Sequence, residues 1–379
     1  GLLRSMVGIF MFGIQTYFLS KIFGYLIRIL IFSIDSSLLD RDIFLVFLLG
    51  LSFIDWISFI IVIIFQTLMF SVGINFNKRL INFSAITVYL GMILFFFVVL
   101  LSDVKLTTQA FSDILNFNNF LDTDNIIPLL TVTGTIFAYF SIIIVSFGDF
   151  SRYVKNENEL KKGNFSLILN LIIFSFFAVF IVVGSDVFLN QRFLDIDRVF
   201  TNPTDIIGKF DNTQITIIVL CFIIFASAST NLVANFIPSQ YSLINLIPSK
   251  LTLNSSSYLI SIFGFLIGIF WLTVLSQIGI LSFIDTFGAF FGPIFGVMII
   301  DYYLIKKGNL SNKDIYSVQP DSIYYFSKGW HLKAVYSILI GFIFSASTIW
   351  NSNLMFLQSY AWIIGAIVTS LVYYLLAKD

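Results

Sequence analysis

Five polar side chains interrupt an otherwise apolar stretch, "ASASTNLVAN", which begins at Ala226. On an α-helix with about 100° per residue, Ala226, Ser229 and Thr230 share one face, whereas Asn231 and Asn235 lie on another. Hydroxyl and carbonyl oxygens without a carboxylate suit a weakly held monovalent cation. Asparagine amides offer a donor and an acceptor together, which matches a small solute that carries an amide. The alternative is structural, because such hydroxyls often bond to their own backbone and such amides often join helices.

Two further stretches contain side chains that could contact the same solute. Gln15 in "MFGIQTY" is an uncharged amide within an apolar run, and it could bind the solute or a neighbouring helix. Phe137 and Phe140 in "FAYFSIIIV" are candidate surfaces for stacking on a planar ligand. The alternative for these rings is packing against lipid or core, because the chain has 47 phenylalanines.

The composition places these residues in an integral membrane protein. Of 379 residues, 58% are hydrophobic and 11% are charged, against about 25% charged in soluble domains. The net charge is zero, so no nucleic-acid partner is implied. A single cysteine, Cys221, excludes a disulfide within the chain, and the single histidine, His331, is expected at the membrane interface. So few titratable groups argue against an enzyme and against a cofactor.

Ten segments are long and apolar enough to form transmembrane helices, so we expect an all-α fold. The predicted spans are 5–31, 43–71, 83–101, 126–148, 165–189, 214–236, 257–276, 279–305, 333–350 and 355–376. The polar connections 102–125 and 190–213 could carry short interfacial helices. With ten spans, one set of alternate connections holds twice as many Lys and Arg residues as the other. The positive-inside rule then predicts that both ends of this chain lie in the cytoplasm. We expect a multi-pass protein of the cell membrane.

Four charged residues at or within the spans invite separate interpretations. Asp55 could pair with a neighbour or carry a proton, since carboxylates inside a membrane are functional candidates. Asp285 is expected near the outer interface, where solvent would explain it. Asp149 and Arg152 are three residues apart and are expected to form a local ion pair or a helix cap.

A stripe of three glycines is expected to bring two helices close together. Gly288, Gly292 and Gly296 recur every four residues in "FGAFFGPIFGV" and therefore lie on one helix face.

Several of these stretches, in order and spacing, resemble the nucleobase–cation symporter family, which transports hydantoins, pyrimidines, purines and allantoin. They are "FGIQT" (12–16), "GDFSRY" (148–153), "STNLVAN" with "NLIP" (229–235 and 245–248) and "GPIFGVMIIDYYLIKKG" (292–308). The resemblance implies a LeuT-like inverted-repeat fold with twelve helices. About ten are present, because the first span resembles the family's third helix. We therefore expect residues 1–379 to be one transporter domain that lacks the first two helices, in agreement with the missing initiator methionine.

The resemblance also implies roles for particular residues. Gln15 and Asn235 match the amides that bind the substrate, with Asn231 one turn away, and Phe140 matches the aromatic residue that stacks on the substrate ring. Met11 stands where the hydantoin permease has a tryptophan, so the ring would be enclosed less rigidly.

A cation site is implied by the same resemblance. Ala226, Ser229 and Thr230 match half of a sodium site whose remaining carbonyls come from the first helix of the family. Their retention favours sodium as the coupling ion, with a proton as the alternative.

The resulting hypothesis is a monomeric secondary transporter that imports a nucleobase-like, hydantoin-like or allantoin-like ring with a cation by alternating access. Two alternatives remain at this stage: a non-transporting or channel-like membrane protein, and a LeuT-like amino-acid transporter. The sequence does not identify the substrate.

Overall fold

A computed structural model describes residues 1–116, 123–192, 203–209, 212–273, 280–311, 313–314, 317 and 319–378 of the chain. These residues are largely α-helical, as expected from their composition. The α-helices are α1 (Leu2–Ile34), α2 (Asp42–Leu45), α3 (Phe53–Ser71), α4 (Ile74–Ser102), α5 (Val104–Ile114), α6 (Thr123–Val145), α7 (Phe147–Ser151), α8 (Glu157–Arg192), α9 (Pro203–Ile207), α10 (Thr213–Asn231), α11 (Ile237–Leu246), α12 (Leu253–Thr273), α13 (Ile280–Ile299), α14 (Leu332–Trp350) and α15 (Ala361–Ala377).

Shorter elements interrupt or extend these helices. Two π-helical segments, Leu232–Phe236 and Ile300–Ile305, continue α10 and α13. Two 3-10 helices, Ser36–Asp40 and Ser352–Tyr360, precede α2 and α15. A small antiparallel hairpin pairs β1 (Phe47–Leu48) with β2 (Leu51–Ser52).

Ten helices in the described part of the chain are long and apolar enough to cross a membrane. This count confirms the sequence prediction, and most boundaries agree within a few residues. Four boundaries differ by more. The third span begins at Ile74 rather than at residue 83, the fifth begins at Glu157 rather than at residue 165, and the sixth ends at Leu246 rather than at residue 236. The second span begins at Phe53 rather than at residue 43. Leu49 and Gly50 adopt positive φ angles of 53° and 78°, which reverse the chain into the hairpin. Ser52 then caps α3, and its side chain accepts a hydrogen bond from the Asp55 backbone N–H.

Short helices also occur in the two long polar connections, as predicted. They are α5 in the first and α9 in the second. Residues 117–122, 193–202 and 210–211 of these connections lie outside the described residues. So do residues 274–276 at the predicted end of the seventh span and residue 279 at the predicted start of the eighth. Arg198, which contributed to the charge count, is among them.

The chain divides into two compact units. The first comprises residues 1–118 and 149–275, and α1 is its central helix, packed against α3, α10, α11 and α12. Two glycines allow these close contacts. A Cβ atom on Gly8 would lie 3.1 Å from the Asn235 carbonyl oxygen, and one on Gly13 would lie 2.5 Å from the Gly264 carbonyl oxygen. The aromatic rings of Phe12 and Phe236 fill the core beside them, with centroids 5.5 Å apart.

The second unit comprises residues 119–148 and 276–379, and α13 packs there against α6, α14 and α15. The glycine stripe forms these contacts as predicted. A Cβ atom on Gly288 would lie 2.6 Å from the Cβ of Ala138. One on Gly292 would collide with the Trp362 carbonyl oxygen, and one on Gly296 would lie 2.5 Å from the Ala366 carbonyl oxygen.

Candidate functional site

The polar residues of the "ASASTNLVAN" stretch lie where α10 passes into a π-helical turn. In that turn the Ile237 N–H bonds to the Leu232 carbonyl oxygen, five residues earlier. Pro238 explains this locally, because proline has no N–H and its ring clashes with the carbonyl four residues back in an α-helix. Widened turns of this kind are frequent at functional sites. Asn235 lies within the turn, and Asn231 lies immediately before it.

The side-chain amide of Asn235 joins this segment to α1. Its Nδ2 donates to Gln15 Oε1 at 2.8 Å and to Asn231 Oδ1 at 2.9 Å. Gln15 Nε2 in turn donates to the Ser227 carbonyl oxygen at 3.2 Å. The structure therefore brings together the three amides that the sequence placed at a substrate site.

The hydrogen-bonded network continues from Asn231 to a third helix. Asn231 Nδ2 donates to the Phe12 carbonyl oxygen at 3.3 Å and to Thr16 Oγ1 at 3.0 Å. The Thr16 hydroxyl then donates to Gln66 Oε1 on α3 at 2.8 Å. Gln66 is only 2% exposed, and its Nε2 has no partner among the described residues.

Thr16 and Gln66 are residues of this network that were not among the predicted site residues. Gln66 stands in the apolar run "IIVIIFQTLMF", so the reasoning that identified Gln15 would also have identified Gln66. Thr16 directly follows Gln15, and no pattern in the sequence distinguishes it as a site residue.

The hydrogen bonds within the network determine which donors and acceptors remain available to a ligand. The two N–H groups of Asn235 and the two of Asn231 all donate to protein acceptors. One N–H of Gln15 and the Oδ1 of Asn235 have no partner among the described residues. One free donor and one free acceptor therefore belong to the same hydrogen-bonded pair of amides.

The hydroxyls expected at a cation site both bond to their own helix. Ser229 Oγ donates to the Ala226 carbonyl oxygen at 3.1 Å, and Thr230 Oγ1 donates to the same oxygen at 2.8 Å. This is the local bonding that hydroxyls adopt in membrane helices. The two hydroxyl oxygens are nevertheless gathered around the Ala226 carbonyl oxygen, on a different side of the helix from the amide network. Their role in binding sodium stays a prediction.

The two remaining predicted contacts lie on separate elements. Met11 is half-buried on α1, four residues before Gln15 and so on the same helix face. Phe140 is half-buried on α6 in the second unit and meets Tyr139 edge to face, with centroids 5.3 Å apart. Stacking of Phe140 on a substrate stays a prediction.

Asp55 belongs to an ion-pair cluster at the start of α3. Its carboxylate lies 2.8 Å from Lys21 Nζ and 2.9 Å from Arg28 Nη2, both on α1. The Ser52 hydroxyl also donates to it at 3.0 Å. Of the two interpretations left open for Asp55, the structure shows pairing with neighbours, which joins α1 to α3.

Two predictions about charged residues were wrong: the local ion pair between Asp149 and Arg152, and the solvation of Asp285. Asp149 pairs with Arg4 at the start of α1 rather than with Arg152. Arg152 instead lies over the Tyr241 ring, 3.8 Å from its centroid. Asp285 is 3% exposed, so solvent contact does not explain it.

His331 caps α14 at the end of a polar segment. Its Nδ1 accepts a hydrogen bond from the Ala334 N–H at 3.2 Å, and its Nε2 lies 3.1 Å from the Tyr373 hydroxyl. The Tyr373 hydroxyl donates to Asp301 Oδ1 at 2.7 Å. Partial burial lowers the pKa of the His331 imidazole below its ordinary value.

Comparison with known proteins gives a consistent result. A sequence model of the family described as "Permease for cytosine/purines, uracil, thiamine, allantoin" matches residues 1–374. The purine-uracil permease NCS1 of Arabidopsis thaliana is 28% identical over 206 residues, which cover 54% of this chain and 33% of that protein. The allantoin permease of Bacillus subtilis is 26% identical over 248 residues, which cover 65% of this chain and 48% of that protein. The matches thus span about half or less of the relatives' own lengths.

A solved structure shows the same fold. Mhp1, a nucleobase-cation-symport-1 family transporter in a closed conformation with bromovinylhydantoin bound, superposes with a TM-score of 0.71. The match is 18% identical in sequence and covers 100% of this chain and 74% of that one. The predicted LeuT-like transporter fold is thereby confirmed.

Proposed function

Because this chain belongs to the family of permeases for cytosine, purines, uracil, thiamine and allantoin, we propose that it imports a planar ring bearing an amide edge, coupled to a cation. The members of this family are transporters and not enzymes, and the chain is a multi-pass membrane protein. The ring class, the coupling ion, the location in the cell membrane and the cytoplasmic position of both ends of this chain are parts of the proposal. So are a monomeric state and a single transporter domain over residues 1–379.

The pair of amides formed by Gln15 and Asn235 is the observation that carries this proposal. Its free N–H and free carbonyl oxygen complement a ring in which an N–H stands next to a carbonyl group or an unprotonated ring nitrogen. The ring N–H would donate to Asn235 Oδ1, and the neighbouring acceptor would bond to Gln15 Nε2. Nucleobases, hydantoins and allantoin all carry such an edge. Met11, on the same face of α1 as Gln15, is proposed to contact a face of the ring.

The fixed direction of the network supports selectivity for this edge. Asn235 cannot turn its Nδ2 toward the ligand without breaking bonds to Gln15 Oε1 and Asn231 Oδ1, at about 0.5–1.5 kcal/mol each. A ring with two acceptors at this edge would therefore leave Asn235 Oδ1 facing another acceptor. A ring methylated on the edge nitrogen would lose the donor.

For the cation we propose the oxygens of Ala226, Ser229 and Thr230 as ligands. To reach a cation, the two hydroxyl protons would turn away from the Ala226 carbonyl oxygen, which frees three oxygens together. Reciprocal coupling then requires that sodium tighten substrate binding by the same factor as substrate tightens sodium binding.

Binding and uptake of radiolabelled uracil, cytosine, allantoin and hydantoin by the purified protein, in lipid nanodiscs and in proteoliposomes, test the proposal. We expect Gln15→Ala and Asn235→Ala each to weaken binding of the preferred compound about 5- to 100-fold, the effect of losing one partner of a buried hydrogen bond. Gln240→Ala is the matched control, because Gln240 is a buried amide on α11 that bonds to Leu253 and Ser257 outside the network. Unchanged affinity in both site variants would contradict the proposal.

Replacing sodium with choline at fixed pH tests the ion separately. Sodium-dependent binding that is lost in Ser229→Ala and Thr230→Val supports the cation site. Substrate binding that is independent of sodium rules out the cation site. If Ser229→Ala and Thr230→Val lower stability without changing sodium dependence, these hydroxyls are purely structural.

A further inference from the structure

Asp285 is a buried carboxyl group with no cationic partner among the described residues. It lies on α13, within a span that runs from Ile284 to Ile305, and is 3% exposed. Gln358 Nε2 donates to its Oδ2 at 2.9 Å, and the Thr135 hydroxyl on α6 also donates to the carboxyl group. Its Oδ1 is buried and has no hydrogen-bond partner among the described residues.

Asp55 shows how the same chain accommodates an ionised carboxylate inside a span. Two cations approach it within 3 Å, at 2.8 Å for Lys21 and 2.9 Å for Arg28. The Ser52 hydroxyl and the Ser52 backbone N–H add two more donors, at 3.0 Å and 3.2 Å. Asp285 has two neutral donors instead, and one of its oxygens has none.

The elements packed against α13 bring no compensating charge to Asp285. These elements are α6, α14, α15, the 3-10 helix Ser352–Tyr360 and the π-helical segment Ile300–Ile305. Their charged groups are Asp124, Asp301 and Lys333, and their tyrosines include Tyr139, Tyr336, Tyr360 and Tyr373. Among the described residues, no hydrogen bond or ion pair joins any of these groups to Asp285.

The positions of ionisable residues along the chain also indicate that Asp285 has no nearby opposite charge in the part of the chain that the structure describes. Asp301 is 16 residues further along the chain, about 24 Å at the helical rise, and pairs with Lys306. Residues 274–283, which precede Asp285, contain no ionisable side chain.

An isolated carboxylate in such surroundings is energetically costly. Removal of an ion from water in a low-dielectric interior is repaid only by an opposite charge or by enough hydrogen bonds, and otherwise the group takes up a proton. The orientation of Gln358 also disfavours a metal cation, because its N–H group points at Oδ2. A neutral carboxylic acid, with its proton on the unpartnered Oδ1, fits these surroundings best.

We propose that Asp285 is a proton-binding site, occupied at neutral pH. The Oδ1–H bond forms with a proton taken from water and breaks when the proton returns to water, so ionisation requires water or a cation to reach the carboxyl group. If the proposed transport function holds, this proton is a coupling ion in addition to, or in place of, sodium.

Difference infrared spectroscopy of the purified protein in lipid nanodiscs tests the site without any substrate. A protonated carboxylic acid has a C=O stretching band that an ionised carboxylate lacks. We expect such a band at about pH 7, where an ordinary aspartate is ionised. It should be lost in Asp285→Asn and shifted in Asp285→Glu. It should persist in Asp55→Asn, the matched control, because Asp55 is held ionised by its two cations.

A further variant tests the site even if Asp285→Asn fails to fold. Gln358→Lys places an ammonium group beside the carboxyl, as Lys21 does for Asp55, and should abolish the band by ionising Asp285. The proposal is overturned if the wild-type protein has no carboxylic acid band at neutral pH, or if the band survives both Asp285→Asn and Gln358→Lys.

Uptake measurements separate this proposal from the proposed function. Where uptake occurs, its dependence on pH should be reduced at least several-fold in Asp285→Asn. If no compound is taken up while the infrared band behaves as expected, the proposed function fails and the proton site stands. If uptake occurs but the band is absent, the proton site fails and the proposed transport function stands.

Discussion

Gln15 and Asn235 are 220 residues apart in sequence, yet Asn235 Nδ2 donates to Gln15 Oε1 over 2.8 Å in the first unit. This contact ties the π-helical turn to α1. It also fixes which group of each amide remains available to a ligand.

The two amides should stabilise the fold cooperatively. We expect the effects of Gln15→Ala and Asn235→Ala on the free energy of unfolding to be non-additive by about 0.5–3 kcal/mol, because each substitution removes the partner of the other. Unfolding in detergent, followed by circular dichroism, measures the double-mutant cycle. The pair Gln15→Ala and Gln240→Ala shares no hydrogen-bond partner and should be additive, so equal coupling in the two pairs would contradict the network.

Thr16 should contribute more to the free energy of unfolding than its small side chain suggests. Thr16→Val keeps the shape of the side chain but removes the acceptor for Asn231 Nδ2 and the donor for Gln66 Oε1. Leaving buried polar groups unpaired should lower the free energy of unfolding by about 1–3 kcal/mol. Thr108→Val is the control, since Thr108 is exposed on α5 and bonds only to its own helix. Similar stability losses in both variants would show that the network is not maintained.

Neutralising Asp55 should destabilise the contact between α1 and α3. Asp55→Asn leaves Lys21 and Arg28 without a counter-charge and weakens the cap at Ser52. We expect a loss of about 1–3 kcal/mol in the free energy of unfolding, below the value for a fully buried pair because both cations are about one-third exposed. Glu157→Gln, which removes an exposed pair with Lys161, should change the thermal midpoint little. A smaller effect for Asp55 than for Glu157 would refute this role.

The His331 imidazole should make stability depend on pH. Its pKa is lowered in the folded protein, so the unfolded chain binds the additional proton first. Stability is therefore complete above the unfolded pKa of about 6.5 and decreases as the pH falls through that value toward the folded pKa. His331→Asn retains an acceptor for the Ala334 N–H but does not titrate. Thermal midpoints between about pH 7.5 and 5 should fall more for wild type than for His331→Asn, and parallel curves would contradict the prediction.

The glycine stripe on α13 gives a steric prediction. A methyl group at Gly292 would collide with the Trp362 carbonyl oxygen of α15, which is backbone and cannot rotate away. Gly292→Ala should destabilise the protein by about 1–3 kcal/mol, as overpacking does. Gly163→Ala on α8 has open space around the new methyl and should be neutral or stabilising by up to about 1 kcal/mol. The comparison uses thermal unfolding of the two variants side by side.

The sequence predicted the features that depend on composition and helical spacing. Ten apolar spans, the glycine stripe and the separate faces of Thr230 and Asn231 follow from hydropathy and from the angle between successive residues. The partner of Asp149 could not be predicted from local spacing, because Asp149 pairs with Arg4, which is 145 residues away in sequence. The hairpin before Phe53 was hidden in an apolar run, since two positive φ angles rather than hydropathy end the span there.

The number of residues in the π-helical turn, and not only their identity, orients the segment that follows it. A π turn holds about one residue more than an α turn, so α11 is rotated by about 100° relative to an uninterrupted continuation of α10. This rotation presents Ser239 to Gly8 of α1, where an added Cβ would touch its hydroxyl. Deleting one residue between 232 and 236 would undo the rotation and turn Ser239 away from α1. Changes in chain length should therefore be tolerated less well here than substitutions of Leu232 or Val233 by other apolar residues.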